Sequence, residues 1–260
     1  MTAEEYMTKR FPRATEVERV KIIRDWDNKI DTAKNIVADF SARTGQPVSG
    51  LSVLDAGAGN GGMSIGFAEA GAQMVGVDIE ADLVDIARAR ALARGTTAEF
   101  VLYDGYQLPF ADGMFDAALS VSVLEHVTNP ANYLKEILRT VKPGGYLYLA
   151  FPNRLWPKET HTGLWFITYL SYSLADRVIK LFKKNPLADN NLHFYGYFSL
   201  ISLLNKARIS GYEWQIIEEK GDSHNLLKIS IKNILRVFGL SYKMFLPHIS
   251  VILKKKQSLI

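Results

Sequence analysis

The sequence predicts a single α/β domain built around a mostly parallel sheet with helices on both faces. The chain has 260 residues, of which 48% are hydrophobic and 22% are charged, as in an ordinary globular protein. From Leu51 onward, short apolar segments alternate with helical stretches, which is typical of a parallel sheet covered by helices. This length suffices for one such domain with additions, and hardly for two full domains.

The region before the sheet is predicted to be an N-terminal helical extension of residues 1–46. Within Thr15–Phe40, apolar side chains recur at spacings of three and four, which indicates one or two amphipathic helices. The segment 44–47 contains glycine and proline and interrupts this pattern. We therefore expect the main domain to occupy residues 47–260.

The first part of the main domain is predicted to contain five strands and three helices. The strands are Leu51–Asp55, Gln73–Asp78, Ala98–Tyr103, Phe115–Ser120 and Tyr146–Phe151. The helices are Gly62–Ala70, Ala81–Ala93 and Asn132–Val141. A Lys-Pro-Gly-Gly sequence at 142–145 is predicted to stop the third helix and to reverse the chain.

Composition and charge exclude some classes of function. Without cysteine the chain has no disulfide, no thiolate nucleophile and no cysteine-built zinc site. Residues 1–15 contain no apolar run like that of a secretory signal, so we expect a cytoplasmic protein. The chain has 15 basic and 20 acidic residues up to Ala150, and 16 basic and 7 acidic residues after it. The basic C-terminal part suggests an anionic partner, either a membrane surface or a nucleic acid; the alternative is an ordinary solvated surface.

A glycine-rich segment follows the first predicted strand. Gly57, Gly59 and Gly62 match the spacing of a dinucleotide-binding loop, and Asp78 follows about 20 residues later, where an acid would bind ribose hydroxyls. Asp55 at the mouth of this loop would repel a pyrophosphate, but it favours the ammonium and sulfonium groups of S-adenosylmethionine. The charge of this residue therefore favours S-adenosylmethionine over a dinucleotide.

Residues 53–151 resemble the class I S-adenosylmethionine-dependent methyltransferases, and more narrowly the group that includes the quinone-pathway O-methyltransferases. Four blocks carry the resemblance: Val53–Gly61, Val75–Ile79, Asp104–Phe110, and Phe115–Gly145 with its Leu-Glu-His sequence at 124–126. The resemblance implies a Rossmann-like, seven-stranded, mostly parallel sheet with an antiparallel last strand. Pro247–Leu253 suits that last strand, and Glu213–Glu218 suits the strand before it.

The resemblance also implies the residues that bind the donor. Asp78 would bind the ribose hydroxyls, Asp104 the adenine amino group, and Ser120 with Val121 the methionine end. The full predicted set is Asp55, Gly57, Gly59, Asp78, Ile79, Asp104, Gly105, Ser120 and Val121.

One position departs from the metal-binding members of that group. Some quinone-pathway enzymes have a glutamate three residues before the equivalent of Glu125, and bind a divalent metal with both carboxylates and the histidine. Ser122 occupies that position here, so we expect no metal. Glu125 and His126 would then shape the pocket floor or cap the next helix. The sequence after Ser120 is also not Asn-Pro-Pro-Tyr, the motif of enzymes that methylate exocyclic or amide nitrogens.

Two insertions, residues 152–195 and 221–246, are expected to determine the substrate, because long connections in a compact domain are usually functional. The first contains the uncharged run Thr162–Ala175, which is too short to span a bilayer. The second is predicted to contain a basic amphipathic helix, Leu227–Phe238, with cations at Lys228, Lys232 and Arg236. The two insertions would either bind a membrane or close over the donor as a lid.

The acceptor is expected beside the fifth strand. Pro-Asn-Arg at 152–154 and Glu-Thr-His at 159–161 resemble, weakly, methyltransferases of bacterial envelope and polysaccharide pathways. A hydroxyl acceptor needs a base, and His161 is the first candidate, with Glu159 orienting it if the insertion is not helical there. His193 and Tyr195 are the reserves. A packing or surface role for His161 is the alternative.

These observations predict an enzyme that O-methylates a lipid-linked or membrane-embedded acceptor, such as an envelope glycolipid or a quinone precursor, at the inner face of the membrane. The alternatives are a methyltransferase of soluble small molecules with the insertions as a lid, an RNA methyltransferase, and a protein that only binds the donor. Nucleic acid is disfavoured because no strip of aromatic and basic residues for stacking bases is evident. No feature of the sequence indicates an oligomeric state.

Overall fold

The computed structural model describes residues 2–12, 14–182, 184, 187, 191–208, 214–217 and 246–256. The chain forms two compact units. The first comprises Met1–Leu119, Glu136–Leu147 and Lys254–Ile260, and the second comprises Ser120–Lys135 and Tyr148–Leu253.

The strands form one seven-stranded sheet. Their bounds are β1 Ser52–Ala56, β2 Gln73–Asp78, β3 Glu99–Leu102, β4 Phe115–Val121, β5 Val141–Pro152, β6 Trp214–Ile217 and β7 His248–Lys255. The strand order is β3-β2-β1-β4-β5-β7-β6, β1 runs parallel to β2 and β4, and the last strand is antiparallel. The α/β, Rossmann-like fold class and the antiparallel last strand are therefore confirmed.

Seven α-helices lie within the described residues: α1 Ala3–Arg10, α2 Glu16–Thr44, α3 Gly62–Glu69, α4 Ala81–Ala93, α5 Pro130–Thr140, α6 Tyr172–Leu181 and α7 Tyr197–Arg208. Short 3-10 turns occur at Leu124–His126 and Ile167–Tyr169. The apolar pattern of the sequence did not indicate α1.

The predicted turn at 142–145 is wrong. Helix α5 ends at Thr140 and β5 begins at the next residue, so these four residues belong to the strand. Gly145 lies so close to β4 that a Cβ would stand 2.6 Å from the Asp116 carbonyl oxygen, and Lys142 Nζ contacts the Asp116 carboxylate at 2.6 Å. These contacts with β4 extend the strand where the sequence alone suggested a reversal.

In the first unit, the N-terminal extension packs on the helix that follows the glycine loop. Thr15 and Glu18 form a capping box that begins α2. Ile30 and Ala33 of α2 are buried. Gly66 of α3 lies so close to α2 that a Cβ there would collide with Ala33. The extension thus supports the element that carries the predicted donor loop.

In the second unit, the first insertion has its own small core. Ile167, Ala175 and Ile179 pack with Leu187 and Leu192. The insertion contains α6, but most of it is not helical. Of the second insertion only Leu246 is described, so the predicted helix Leu227–Phe238, with Lys228, Lys232 and Arg236, lies outside the described residues. Among the helices that the structure describes, none is long and apolar enough to span a membrane.

Candidate functional site

The glycine loop of the first unit turns sharply between β1 and α3. Gly57, Gly59 and Gly61 have φ values of 81°, 55° and 78°. Gly61 must be glycine for two reasons. Its φ is positive, and a Cβ at this position would stand 2.9 Å from the Phe100 ring. The amides of Gly57 and Ala58 both donate to the Val77 carbonyl at 2.9 Å. The loop is thereby held against the end of β2.

Asp78 ends β2 and also holds the loop. Its Oδ2 accepts from the Gly59 amide at 2.8 Å, and its Oδ1 accepts from the Glu80 amide at 3.0 Å. Burial raises the pKa of Asp78, and the hydrogen bonds from the amides of Glu80 and Gly59 offset part of that effect. A carboxylate oxygen has more than one acceptor site, so Asp78 can still accept a ribose hydroxyl.

Ile79, which follows Asp78, lies close to Gly105. The Ile79 side chain is 61% exposed, and a Cβ on Gly105 would lie 3.2 Å from its Cγ2. Asp104 Oδ1 accepts from the amides of Tyr106 and Gln107 at 2.8 and 2.9 Å, and these hydrogen bonds lower the pKa of Asp104. An exposed aliphatic side chain next to an oriented carboxylate suits a flat base with an exocyclic amino group.

In the second unit, β4 ends in Ser120 and Val121. Ser120 is fully buried, and its hydroxyl lies 2.9 Å from the Tyr133 hydroxyl, while Val121 is partly buried. The next residue, Ser122, has a φ of 57°, and its amide donates to the Ala150 carbonyl at 2.8 Å. A positive φ at a residue other than glycine is sparsely populated, and such residues cluster at functional sites.

Glu159 and His161 contact each other directly. Glu159 Oε1 lies 2.9 Å from His161 Nδ1 and accepts from the His161 amide at 2.9 Å, while its Oε2 accepts from the Thr162 hydroxyl at 2.7 Å. From the sequence, we expect Glu159 to orient His161 only if the insertion is not helical here, and the segment is indeed not helical.

The charges of this pair follow from its surroundings. Burial would raise the pKa of Glu159, but the hydrogen bonds from His161 and Thr162 dominate and lower it to about 2. Burial would lower the pKa of His161, but the hydrogen bond and charge of Glu159, with the charge of Glu125, raise it. An ionised carboxylate only accepts hydrogen bonds, so Nδ1 of His161 carries a proton.

The pair lines a small pocket in the second unit. Glu125 lies in its wall with 2% of its surface exposed, and its Oε1 is 3.9 Å from His161 Nε2. His193 lines the same pocket, and its amide donates to the Glu125 carbonyl at 2.7 Å. The structure therefore brings all three predicted catalytic residues, His161, Glu159 and His193, to one pocket.

Comparison with known proteins identifies the kind of domain that contains the glycine loop. Residues 54–149 match the family model described as a methyltransferase domain. This region is a class I S-adenosylmethionine-dependent methyltransferase domain. The match includes the glycine loop, Asp78, Asp104 and Ser120, and the cofactor that it implies is S-adenosylmethionine.

Relatives and solved structures extend the likeness beyond that domain. The chain is 34% identical over 160 residues to an uncharacterised methyltransferase of Mycolicibacterium gilvum, covering 61% of this chain and 62% of that protein. A methyltransferase structure from Methanosarcina mazei has a TM-score of 0.53 at 22% identity, covering 82% of this chain and 95% of its own. A second, from Thermotoga maritima, has a TM-score of 0.52 at 20% identity, covering 98% of this chain and all of its own. The two structures show the shared fold.

Within this methyltransferase domain, Asp55 lies in β1 directly before the glycine loop, and its side chain is buried. Its side chain is only 2% exposed, and the Ser64 hydroxyl donates to its Oδ2 at 2.6 Å. Burial raises the pKa of Asp55 to about 6, although the hydrogen bond from Ser64 opposes the shift. The carboxylate is therefore packed against α3 and is not exposed at the loop mouth. Its contact with the donor stays a prediction.

Sequence reasoning missed a residue that clamps the loop. Arg90 of α4 donates to the Asn60 side chain at 2.6 Å and to the Asn60 carbonyl at 2.8 Å. The same guanidinium contacts Asp27 of α2 at 2.8 Å. No local pattern could reveal this clamp, since the three residues lie far apart in the sequence.

The Pro-Asn-Arg pattern has a structural role in the second unit. The Asn153 side chain donates to the Leu246 carbonyl at 2.8 Å, and its amide donates to the Pro247 carbonyl at 2.9 Å. Arg154 Nε donates to the Thr168 carbonyl at 3.1 Å. Both residues therefore fix the first insertion at the end of β5.

The first insertion exposes an aromatic ridge, which we define as Trp165, Phe166, Tyr169 and Tyr172. Their exposed fractions are 59%, 60%, 48% and 45%. Phe166 has a φ of 64°, which is an outlier for a bulky residue. Lys158 Nζ lies 6.0 Å from the centre of the Trp165 ring, at the limit of a cation–π contact. Much of the uncharged run thus faces solvent, so it is not simply a buried core segment.

Proposed function

We propose that this protein transfers the methyl group of S-adenosylmethionine to a hydroxyl group of a lipid-linked acceptor presented at a membrane surface. The observation that carries the proposal is the Glu159–His161 pair in the pocket of the second unit. The aromatic ridge on the same insertion supports a lipid-linked acceptor.

The residues of the first unit fit the donor. Asp78 offers carboxylate oxygens to two ribose hydroxyls, and Ile79 offers an apolar surface to a base. Bound S-adenosylmethionine supplies the methyl group, and its sulfur takes the electron pair of the broken carbon–sulfur bond, which leaves S-adenosylhomocysteine.

His161 is suited to deprotonate a hydroxyl. Because Nδ1 carries a proton bound to Glu159, the neutral imidazole has its lone pair on Nε2, on the side of Glu125. This Nε2 would take the proton of the acceptor hydroxyl while the oxygen forms its bond to the methyl carbon. The resulting imidazolium is stabilised by Glu159 and Glu125, whose charges raise the pKa of His161.

The exposed surface of the first insertion suits the interface of a bilayer. Helix α6 exposes Leu174, Arg177 and Leu181 at spacings of three and four, so an apolar and basic face is turned to solvent. Aromatic side chains with a polar or cationic neighbour are enriched at the headgroup level of membranes. The ridge and α6 would therefore bring the pocket to a lipid-linked substrate.

Methyl labelling tests the proposal. The purified chain is incubated with S-adenosylmethionine carrying a tritiated methyl group and vesicles of a bacterial lipid extract, and the label is then partitioned into organic and aqueous phases. We expect label in the lipid phase, and its loss in His161→Ala. Label in a soluble small molecule would support the alternative in which the insertions form a lid. In a parallel incubation with RNA, label in the RNA would support an RNA methyltransferase. Either result would contradict the lipid-linked acceptor.

A further inference from the structure

We propose that Glu125, His126 and His161 bind a divalent first-row transition metal, with Zn²⁺ as the best match. Each of the three side chains offers one ligand atom, and these atoms all lie within 4.8 Å of one another. Two imidazole nitrogens and one carboxylate oxygen form a ligand set that suits zinc, whereas Mg²⁺ and Ca²⁺ prefer oxygen ligands.

The distances require only a small contraction. In a tetrahedral zinc site with bonds of about 2.0–2.2 Å, the ligand atoms lie roughly 3.3 Å apart. His161 Nε2 and Glu125 Oε1 are already 3.9 Å apart. The His126 and His161 rings are perpendicular, with their centres 5.2 Å apart. Rotation of the side chains would have to supply the remaining approach.

Glu159 supplies the outer partner that a metal-binding histidine normally has. Its contact with Nδ1 fixes the His161 tautomer and leaves Nε2 on the side of Glu125. A carboxylate that holds the far nitrogen of a ligating histidine orients the ring and increases its basicity. The pair that suits a general base therefore equally suits a metal ligand with its supporting carboxylate.

The backbone around the three ligands is fixed independently of any ion. The amide of His193 donates to the Glu125 carbonyl at 2.7 Å, and the Asn191 side chain donates to the His126 carbonyl at 2.6 Å. Glu159 holds the turn that carries His161 through its contacts with the amides of 161 and 162. Such a site can bind a cation without reorganising the chain, which favours affinity.

The sequence predicted no metal because Ser122 replaces a carboxylate ligand. That expectation rested on residues close to Glu125 along the chain. His161 follows His126 by 35 residues, and only the fold brings it to Glu125 and His126. A nitrogen donor in place of the missing carboxylate shifts the preference from hard cations toward zinc.

The site also has an entrance. Glu125 is buried, His126 is partly exposed, and the His161 side chain is 32% exposed. Three protein ligands leave one position of a tetrahedral zinc for water or substrate. One consequence rests on the proposed function: a cation here would lower the pKa of an acceptor hydroxyl bound at that position.

Metal binding by the untagged full chain, with neither donor nor acceptor present, tests the site. Co²⁺ is titrated while the visible absorption of tetrahedral cobalt is followed, and Zn²⁺ affinity is measured by competition with a chromophoric chelator. We expect one ion per chain, and at least a tenfold loss of affinity in His126→Ala, His161→Ala and Glu125→Gln. Glu159→Gln should weaken binding by about 10–100-fold, as the loss of an outer carboxylate does.

The matched control is Asp85→Asn, which removes an exposed carboxylate of α4 outside the cluster and should leave affinity unchanged. Thermal unfolding of each variant without metal shows that the loss of affinity is not a loss of fold. Absence of tetrahedral cobalt absorption in the wild type, or equal affinity in the double His126 and His161 variant, overturns the site. The metal titration contains neither donor nor acceptor, so its result stands even if the protein shows no methyl transfer. Conversely, if no metal binds, His161 can still act as a general base without a metal.

Discussion

The Asp78 carboxylate accepts a hydrogen bond of 2.8 Å from the Gly59 amide, so the residue predicted to bind the ribose also shapes the glycine loop. Its second oxygen is held by the Glu80 amide, which fixes the rotation of the carboxylate. The loop geometry and the predicted recognition of the donor therefore depend on the same side chain.

Replacing Asp78 by alanine should weaken S-adenosylmethionine binding by about 1–3 kcal/mol, because two hydroxyls lose a charged acceptor and the loop loses its support. Calorimetry measures this loss. Asp85→Asn removes an exposed carboxylate of α4 and should leave the affinity unchanged. Wild-type affinity in Asp78→Ala would refute the assignment of Asp78.

Asp55 should make stability depend on pH. Its pKa is about 6 in the folded protein, against about 3.9 for an aspartate in an unfolded chain, so the folded state binds the proton more tightly. The contribution of protonated Asp55 to the free energy of unfolding is present in full below about pH 4 and decreases as the pH rises through about 6. The total decrease is roughly 3 kcal/mol, at 1.36 kcal/mol per pKa unit.

Urea unfolding of wild type and Asp55→Asn between pH 4 and 7 measures this contribution. As the pH rises across that range, the free energy of unfolding of the wild type should fall relative to that of the asparagine variant. A difference that is independent of pH would show that Asp55 does not titrate as its burial implies.

His161→Ala should lower turnover on the true acceptor by about 10²-fold or more, whether the imidazole acts directly or through a cation. Donor affinity should not change, since the pair lies outside the glycine loop and its neighbours. Glu159→Gln should lower kcat in the same direction by a smaller factor, because the ring keeps its place but loses the ionised partner. An equal fall in donor affinity would show that His161 only supports the fold.

The aromatic ridge should bind anionic membranes. Sedimentation with anionic vesicles at low salt should bring the wild type into the pellet, and Trp165→Ala with Phe166→Ala should reduce that fraction. Tyr106→Ala, which removes an exposed aromatic ring from the first unit, is the control and should sediment like the wild type. At 1 M salt, screening acts within about 3 Å, so whatever binding remains is due to apolar insertion.

The cations predicted in the second insertion form a separate arm of that experiment. Lys228, Lys232 and Arg236 each contribute about 1 kcal/mol near an anionic leaflet, so changing all three to glutamate should release the protein at low salt. If the wild type stays in the supernatant with anionic vesicles, the insertions act as a lid and the acceptor is soluble.

The sequence predicted the sheet well because its strands are short apolar runs with helices between them, and β2 and α4 match their predicted bounds. The glycine loop and Asp78 were predictable because their spacing is local. Arg90 on Asn60 and His161 beside Glu125 were not, since each contact joins residues 30 or more positions apart. The burial of Asp55 against α3 was not predictable either, because it depends on packing that periodicity does not describe.

Calorimetric titration of the purified chain with S-adenosylmethionine tests the central claim most directly, with a nicotinamide dinucleotide titrated in parallel. If Gly57, Gly59, Asp78 and Ile79 bind the donor as predicted, we expect saturable binding of one S-adenosylmethionine per chain and no heat from the dinucleotide. Saturable binding of the dinucleotide without binding of S-adenosylmethionine would contradict it.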